Sequence, residues 1–184
     1  MNITPADLKD GKDVVDLLVP WMEKASGAKA DLLVFPEYLF GSFHLGDAKV
    51  RKLQNVVRKH RLNVVVGGWE YLPGAVIKHP PEKESYANCI LVVDREGKIA
   101  GRHWKMHSAV GGTSPYCWPP VPGEQGENTM VKGKDNGLVE LDFGRIGVLT
   151  CYDGYFFESF HMASLRGAEV LVWVNSRKSS HHNR

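Results

Sequence analysis

The stretch GRIGVLTCYD, residues 144–153, begins in a glycine-containing turn and runs through an apolar, partly β-branched segment to a cysteine. The turn 142–145 separates this segment from a second apolar run at 138–141. Two short apolar runs joined in this way predict a β-hairpin. Cys151 therefore follows the end of a strand, which is where sheet-based enzymes present side chains to a cleft.

Outward from this hairpin, strand-like and helix-like segments alternate along the chain. Apolar residues at helical spacing predict one helix that begins near Asp13 and stops at Gly27, and Pro20 is expected to kink it. The other predicted elements are a helix over 50–57, strands at 32–35, 63–68, 86–93, 98–105 and 170–174, and a helix over 156–165. This order predicts a mixed α/β layered domain. The aperiodic stretch 106–137, rich in glycine and proline, predicts an active-site loop.

The composition is typical of a globular protein and predicts a single domain over residues 1–184. Lysine and arginine number 23 against 21 aspartate and glutamate, so the formal charge is only +2. A charge this small predicts neither a nucleic-acid nor a membrane surface, and a small molecule is the expected partner. Three cysteines without a CxxC pair fit a reducing compartment. No signal-like start and no run of roughly 18 apolar residues is found, so a cytoplasmic location is expected.

Three polar residues, Glu37, Lys105 and Cys151, each follow directly on an apolar strand-like run. Taken singly, each has an ordinary explanation: a solvated carboxylate, a charge at a sheet edge, and a thiol in the core. The strings around them are more informative than the residues alone.

Those strings, DLLVFPE at 31–37, RHWKMH at 102–107 and GRIGVLTCYD at 144–153, resemble in order the Glu, Lys and Cys motifs of the nitrilase (carbon–nitrogen hydrolase) superfamily. Supporting matches are Gly41, Tyr86, Asn88, Glu158 and the segment 167–171. Two residues depart from the family's pattern, because Phe157 stands where proline is usual and Trp104 where arginine is frequent. The resemblance implies an α/β fold, a nitrilase-like α-β-β-α sandwich that is incomplete, with the outer first strand and the C-terminal part missing.

The same resemblance implies hydrolysis of non-peptide carbon–nitrogen bonds through a cysteine thioester, with a homo-oligomer as the expected assembly and no cofactor. A free thiol, with a pKa of about 8.5, is a weak nucleophile, so a neighbouring base and cation are needed to activate it. Glu37 would be the base and Cys151 the nucleophile. Lys105, with the backbone N–H of Tyr152, would stabilise the tetrahedral oxyanion.

Members of the family often carry a second glutamate that orients the amide or the attacking water. Glu127 is the candidate, Glu124 is its rival, and a solvated loop carboxylate is the ordinary alternative for either. The Cys-Tyr-Asp sequence at 151–153 resembles the amidase and carbamoylase branches, whereas true nitrilases usually show Cys-Trp-Glu. A small amide or N-carbamoyl substrate is therefore favoured over a nitrile.

Two other interpretations stay open at this point. His103 and His107 flank Lys105, but their spacing resembles no zinc signature, so hydrogen-bonding or surface histidines are expected and no metal. The second interpretation is a shortened, inactive relative that acts, if at all, as an interaction protein. Its support is the apolar surface that missing strands would expose.

Overall fold

The computed structural model describes residues 13–78, 82, 84–108 and 130–175. Two helices, α1 and α2, lie in the first third of the chain and a third, α3, near its end. The elements are α1 Val14–Gly27, β1 Leu32–Val34, β2 Ser42–Phe43, α2 Ala48–His60, β3 Asn63–Tyr71, β4 Tyr86–Val93, β5 Ile99–Trp104, β6 Gly137–Leu141, β7 Gly144–Thr150, a 3₁₀ helix Cys151–Tyr155, α3 Phe157–Leu165 and β8 Val170–Val174. None of the helices in these ranges is long and apolar enough to cross a membrane.

The strands form two sheets. The larger sheet has five strands in the order β1-β3-β4-β5, with β2 also paired to β3. Strands β1 and β2 run parallel to β3, whereas β4 and β5 continue the sheet as antiparallel neighbours. The smaller sheet has the order β6-β7-β8, in which β6 and β7 form the predicted hairpin and β8 runs parallel to β7.

The sheets and helices stack in four layers. Helices α1 and α2 cover one face of the large sheet, where a core forms around Leu18, Leu53 and Leu91. The opposite face packs on the small sheet through a second core that includes Val65, Ile90 and Val148. Helix α3 packs on the outer face of the small sheet. The α-β-β-α arrangement confirms the predicted fold class.

Close packing between the sheets depends on two glycines. A Cβ atom at Gly101 would lie 2.5 Å from Val139 Cγ2, and one at Gly137 would lie 2.5 Å from His103 Cβ. Contacts below 3.0 Å are not tolerated, so only glycine allows β5 and β6 to approach this closely. Because His103 precedes Lys105 on the chain, this approach also brings the small sheet to the candidate site.

The predicted end of the strand at 63–68 is wrong. Strand β3 continues through Gly67 and Gly68 to Tyr71. The glycines provide room for another segment: a Cβ at Gly67 would lie 2.9 Å from Glu37 Cα, and one at Gly68 2.5 Å from the Gly41 carbonyl oxygen. A glycine inside a strand marks such a backbone approach as readily as it marks a strand end.

Two short elements were not predicted. Strand β2 has only two residues, and the 3₁₀ helix after β7 lies directly before the predicted helix at 156–165. Neither has enough residues to show a hydrophobic period. The outer boundaries otherwise agree closely, with α1 ending at Gly27 and β8 spanning the predicted 170–174.

Apolar side chains are exposed on the outer side of the small sheet. Phe157 and Leu165 on α3 are 74% and 68% exposed, and Trp173 on β8 is 45% exposed. The expected exposed apolar face is therefore present in the described residues. Its most exposed side chains lie on α3, while Val34 and Ile99 on the strands β1 and β5 of the large sheet are 40% and 37% exposed.

Candidate active site

Glu37 lies in a tight turn that follows β1. Its neighbour Tyr38 has a φ of 64°, in the left-handed region, and the turn is fixed to β3 by a hydrogen bond from the Phe40 N–H to the Gly67 carbonyl at 2.8 Å. The cost of the left-handed residue is offset by this bond and by the close fit over Gly67 and Gly68. The turn therefore holds Glu37 against the large sheet.

Lys105 follows β5, and its side chain extends to Glu37. Its Nζ lies 3.3 Å from Glu37 Oε1, and both side chains are only 1% exposed. The Lys105 N–H donates to the Asn88 carbonyl at 2.9 Å, which anchors the residue to β4. A charge buried without a partner would be strongly unfavourable, so each of the two groups needs the other in the interior.

Asn88 holds the Glu37 carboxylate from the neighbouring strand. Its Nδ2 donates to Glu37 Oε1 and to the Tyr38 hydroxyl, each at 2.8 Å. The Tyr38 ring also stacks on Trp69, with ring centroids 4.5 Å apart. The carboxylate is thus oriented by a strand amide as well as by Lys105.

Cys151 begins the 3₁₀ helix at the end of β7. Its φ is 45°, so the nucleophile candidate lies in a sharp turn with a left-handed backbone. The Trp173 Nε1–H donates to the Cys151 carbonyl at 2.8 Å and fixes the turn to β8. Strained residues of this kind are frequent in active sites, where the surrounding structure holds them.

Asp153, two residues beyond Cys151, is completely buried. Its carboxylate lies 3.1 Å from His103 Nε2 and accepts hydrogen bonds from the backbone N–H groups of Met106 at 3.1 Å and His107 at 2.8 Å. Burial raises the pKa of Asp153, but the hydrogen bonds from His103 and His107 outweigh it and bring the pKa below its usual value. Asp153 therefore connects the Cys151 turn with the residues that follow Lys105.

A second connection joins the two sheets on the side of Glu37. The Glu37 N–H donates to the Asn175 carbonyl at 3.3 Å, directly beyond the end of β8. The segments that carry Glu37, Lys105 and Cys151 are thus joined by hydrogen bonds. The three segments come together at one end of the sandwich.

A family model provides the decisive comparison. The model of the carbon-nitrogen hydrolases matches residues 3–184, which is nearly the whole chain. The chain belongs to the carbon-nitrogen hydrolase family. The family resemblance expected from the three sequence motifs is confirmed.

Individual relatives within the carbon-nitrogen hydrolases are distant. A probable nitrilase of Schizosaccharomyces pombe is 23% identical over 169 residues, which cover 82% of this chain and 53% of the relative. An N-carbamoylputrescine amidase of Solanum tuberosum is 25% identical over 132 residues, which cover 71% of this chain and 37% of the relative. The chain thus spans about half or less of the length of these two relatives.

Solved structures of carbon-nitrogen hydrolases share the fold. A carbon-nitrogen hydrolase from Helicobacter pylori G27 superimposes with a TM-score of 0.67 and 18% identity, over 93% of this chain and 57% of that chain. A mutant amidase from Nesterenkonia sp. AN1, whose structure shows acrylamide added to its active-site cysteine, gives a TM-score of 0.66 at 18% identity. The match covers 91% of this chain and 62% of that chain.

Of the remaining predicted site residues, Tyr152 lies within the described part of the chain, whereas Glu127 does not. Tyr152 lies in the 3₁₀ helix directly after Cys151, with its ring against Tyr155 and Phe156 at centroid distances of 5.2 and 5.5 Å. Glu127 and its rival Glu124 lie outside the described residues, so their assignment stays a prediction.

The histidines beside Lys105 make hydrogen-bonding contacts. His103 is buried, and His107 Nδ1 lies 3.0 Å from Asp153 Oδ1 while its ring stacks on Phe156. Within the described ranges no group of three His, Cys, Asp or Glu side chains has the arrangement of a metal site. Both imidazole rings therefore make hydrogen-bonding contacts with the carboxylate of Asp153.

Cys89 has a very different environment from Cys151. It is fully buried in the core between the large sheet and its helices. Burial raises the pKa of its thiol well above the usual range, and the neighbouring Glu70 raises it further. Since the thiolate is the reactive form, Cys89 is unsuited to nucleophilic attack.

Sequence reasoning did not assign a role to Asn88 or Asp153. The available signal was the two-residue alternation of strands, which places Asn88 on the same face of β4 as the buried Ile90. A strand-centre amide on a buried face needs a polar partner, but the alternation does not identify Glu37 as that partner. No comparable pattern predicts that Asp153 would reach residues some 46 positions away.

Proposed function

We propose that this chain hydrolyses a small amide or N-carbamoyl compound, releasing an acid and ammonia or an amine, with Cys151, Glu37 and Lys105 as the reacting groups. The observation that carries the proposal is the buried Glu37–Lys105 pair at 3.3 Å, tied through Asp153 to the turn that presents Cys151. A base, a cation and a thiol in adjoining segments are the groups required for nucleophilic attack on a carbonyl.

In the first half of the proposed reaction the Glu37 carboxylate takes the proton of the Cys151 thiol. The thiolate attacks the carbonyl carbon, and the negative charge moves to the carbonyl oxygen. Lys105 and the N–H of Tyr152 stabilise that oxygen, and a donor of this kind typically contributes about a hundredfold or more to the rate. When the tetrahedral intermediate collapses, Glu37 gives the proton to the leaving nitrogen and the C–N bond breaks.

In the second half a water molecule resolves the thioester. Glu37 accepts a proton from the water as it attacks, and the same oxyanion donors are used again. The C–S bond breaks, the Cys151 sulfur recovers the proton, and the carboxylic acid leaves. These steps use only side chains, backbone donors and water.

Two comparisons support the substrate class and the nucleophile. One relative is named as an N-carbamoylputrescine amidase, and the Nesterenkonia amidase carries acrylamide on its active-site cysteine. The Cys-Tyr-Asp sequence at 151–153 also resembles the amidase and carbamoylase branches. We extend the proposal to a homo-oligomer that acts on a small molecule without a cofactor.

The test is a set of cysteine variants assayed for ammonia release on a panel of small amides and N-carbamoyl compounds. Cys151→Ser should abolish turnover, whereas Cys89→Ser should retain turnover within a few fold. The same is expected for Cys117→Ser at the third cysteine of the sequence, which lies outside the described residues. Intact-mass spectrometry after iodoacetamide treatment near neutral pH should show one rapidly alkylated cysteine, mapped to Cys151.

Equal losses of turnover in all three variants would contradict the assignment of Cys151 as the nucleophile. A wild-type chain with no turnover and three slowly or equally reacting cysteines would favour the inactive, interaction-protein alternative. The alkylation measurement is needed because it reports the state of the thiol even when the chosen substrates are wrong.

A further inference from the structure

The Asp153 carboxylate accepts hydrogen bonds from N–H groups on both sides of the sandwich. From the large sheet come His103 Nε2 and the backbone N–H groups of Met106 and His107, which bracket Lys105 in the chain. From the small sheet comes the Thr150 N–H, at 3.3 Å from Asp153 Oδ2, immediately before Cys151. One buried carboxylate is thus hydrogen-bonded both to the residues next to Lys105 and to the residue next to Cys151.

The hydrogen bonds of His103 determine which of its nitrogens carries the proton. The Gly137 N–H donates to His103 Nδ1 at 3.2 Å, so Nδ1 is an acceptor. The proton of the neutral ring then lies on Nε2 and is donated to Asp153 Oδ2. The backbone of β6 therefore aligns His103, and His103 aligns Asp153.

We propose that Asp153, held by the Nε2–H tautomer of His103, is a positioning residue that sets the placement of Lys105 relative to Cys151. The inference rests on the proposed function, because it assumes that these two residues react together. Catalytic groups must lie within a few tenths of an ångström of their productive geometry, and a misplacement of about 1 Å can reduce the rate about a hundredfold.

A second buried carboxylate provides a matched comparison. Glu70 is 2% exposed, pairs with Arg102, and accepts a hydrogen bond from Trp104 Nε1 at 2.6 Å. Arg102 and Trp104 lie on β5 like His103, but on the opposite face, toward the helices. Among the described residues, Glu70 thus has its partners on β5 of the large sheet and none on the small sheet.

The experiment compares Asp153→Asn with Glu70→Gln. Both changes keep the size of a buried side chain and remove its charge, so both are expected to lower the melting temperature. The amide introduced by Asp153→Asn would turn an NH₂ group toward either His103 or the backbone N–H groups, so a donor would face a donor. Asp153→Asn should lower kcat by about tenfold to a hundredfold with KM within about twofold, and should slow alkylation of Cys151. Glu70→Gln should leave kcat and the alkylation rate within about twofold.

A spectroscopic measurement on the wild type covers the case in which Asp153→Asn does not fold. Two-bond ¹H–¹⁵N spectra should show His103 with its proton on Nε2, and a His103 proton on Nδ1 would overturn the proposal. Wild-type kcat and alkylation rate in a folded Asp153→Asn would also overturn it, as would equal losses in Glu70→Gln. If the wild type neither turns over nor alkylates selectively at Cys151, the proposed function itself fails, and the positioning role fails with it.

Discussion

The two sheets of the sandwich differ in how completely they are covered. The large sheet has helices on one face and the small sheet on the other, and β4 is buried along its whole length. The small sheet is covered by the large sheet on its inner face, while Leu171 and Trp173 on its outer side are 39% and 45% exposed. The candidate base and cation follow strands of the large sheet, and the candidate nucleophile follows a strand of the small one.

This difference shows that the proposed reacting groups are held in unequal ways. Glu37 and Lys105 form a preassembled pair inside a well-packed frame. Cys151 depends on contacts that reach across to that frame, chiefly those of Asp153 and the close approach at Gly137. Changes in the large sheet should therefore alter the chemistry or the stability, while changes on the small sheet's outer side should alter association.

The largest effect is expected for Lys105→Arg, which changes the preassembled pair directly. The guanidinium keeps the charge, but it is larger and planar, and the Lys105 side chain is only 1% exposed. The donor cannot then occupy the same position, so kcat should fall by about a hundredfold or more. Steady-state ammonia release measures the effect.

Lys98→Arg is the matched control, since Lys98 is exposed just before β5, and it should retain full activity. If Lys105→Arg kept full turnover while Lys105→Ala lost it, Lys105 would contribute only a positive charge. The defined position of the oxyanion donor would then be unnecessary.

A smaller effect is expected for Gly68→Ala, which tests the rigidity of the large sheet's frame. The new Cβ would lie 2.5 Å from the Gly41 carbonyl oxygen, which is backbone and cannot easily move. We expect a loss of about 1–3 kcal/mol in the free energy of unfolding, with lower turnover because the Glu37 turn must shift. Denaturant unfolding followed by an activity assay gives both quantities.

Gly46→Ala serves as the control, because a Cβ there would meet no atom within 4 Å. Equal stability of the two alanine variants would mean that the turn carrying Glu37 can shift without lowering the free energy of unfolding. The large sheet would then be less rigid than the comparison of the two sheets implies.

The smallest effect concerns the outer side of the small sheet. The chain is expected to self-associate through this apolar surface, so the double variant Phe157→Ser, Leu165→Ser should weaken self-association about tenfold, or about 1.4 kcal/mol. Size-exclusion chromatography over a range of protein concentrations measures the shift toward monomer.

The control pair Val76→Ser, Ile77→Ser replaces residues that are also exposed, at 66% and 44%, but follow β3 of the large sheet. It should leave the elution volume unchanged. A wild type that stays monomeric at all concentrations, with a sharp cooperative melt, would show that the exposed apolar side chains do not drive association.

Most of the fold could be predicted from local patterns. The hairpin that ends before Cys151 and the strand before Glu37 are apolar runs, whereas the strand before Lys105 also contains polar residues, and all three lie close to their predicted positions. The boundary errors occur where a residue serves a distant segment. Gly67 and Gly68 resemble a strand end because the turn of Glu37 that requires them is about 30 residues earlier in the chain.

The sequence by itself determined the fold class, the family and three candidate reacting residues, because these depend on periodicity and on short motifs. Only the tertiary structure decided which buried polar groups hold those residues in place. Asn88 reaches Glu37 across 51 positions and Asp153 reaches His103 across 50. Such partners are determined by the register of strands and the packing of two sheets, since a buried carboxylate or amide must find a donor or acceptor wherever the folded chain supplies one.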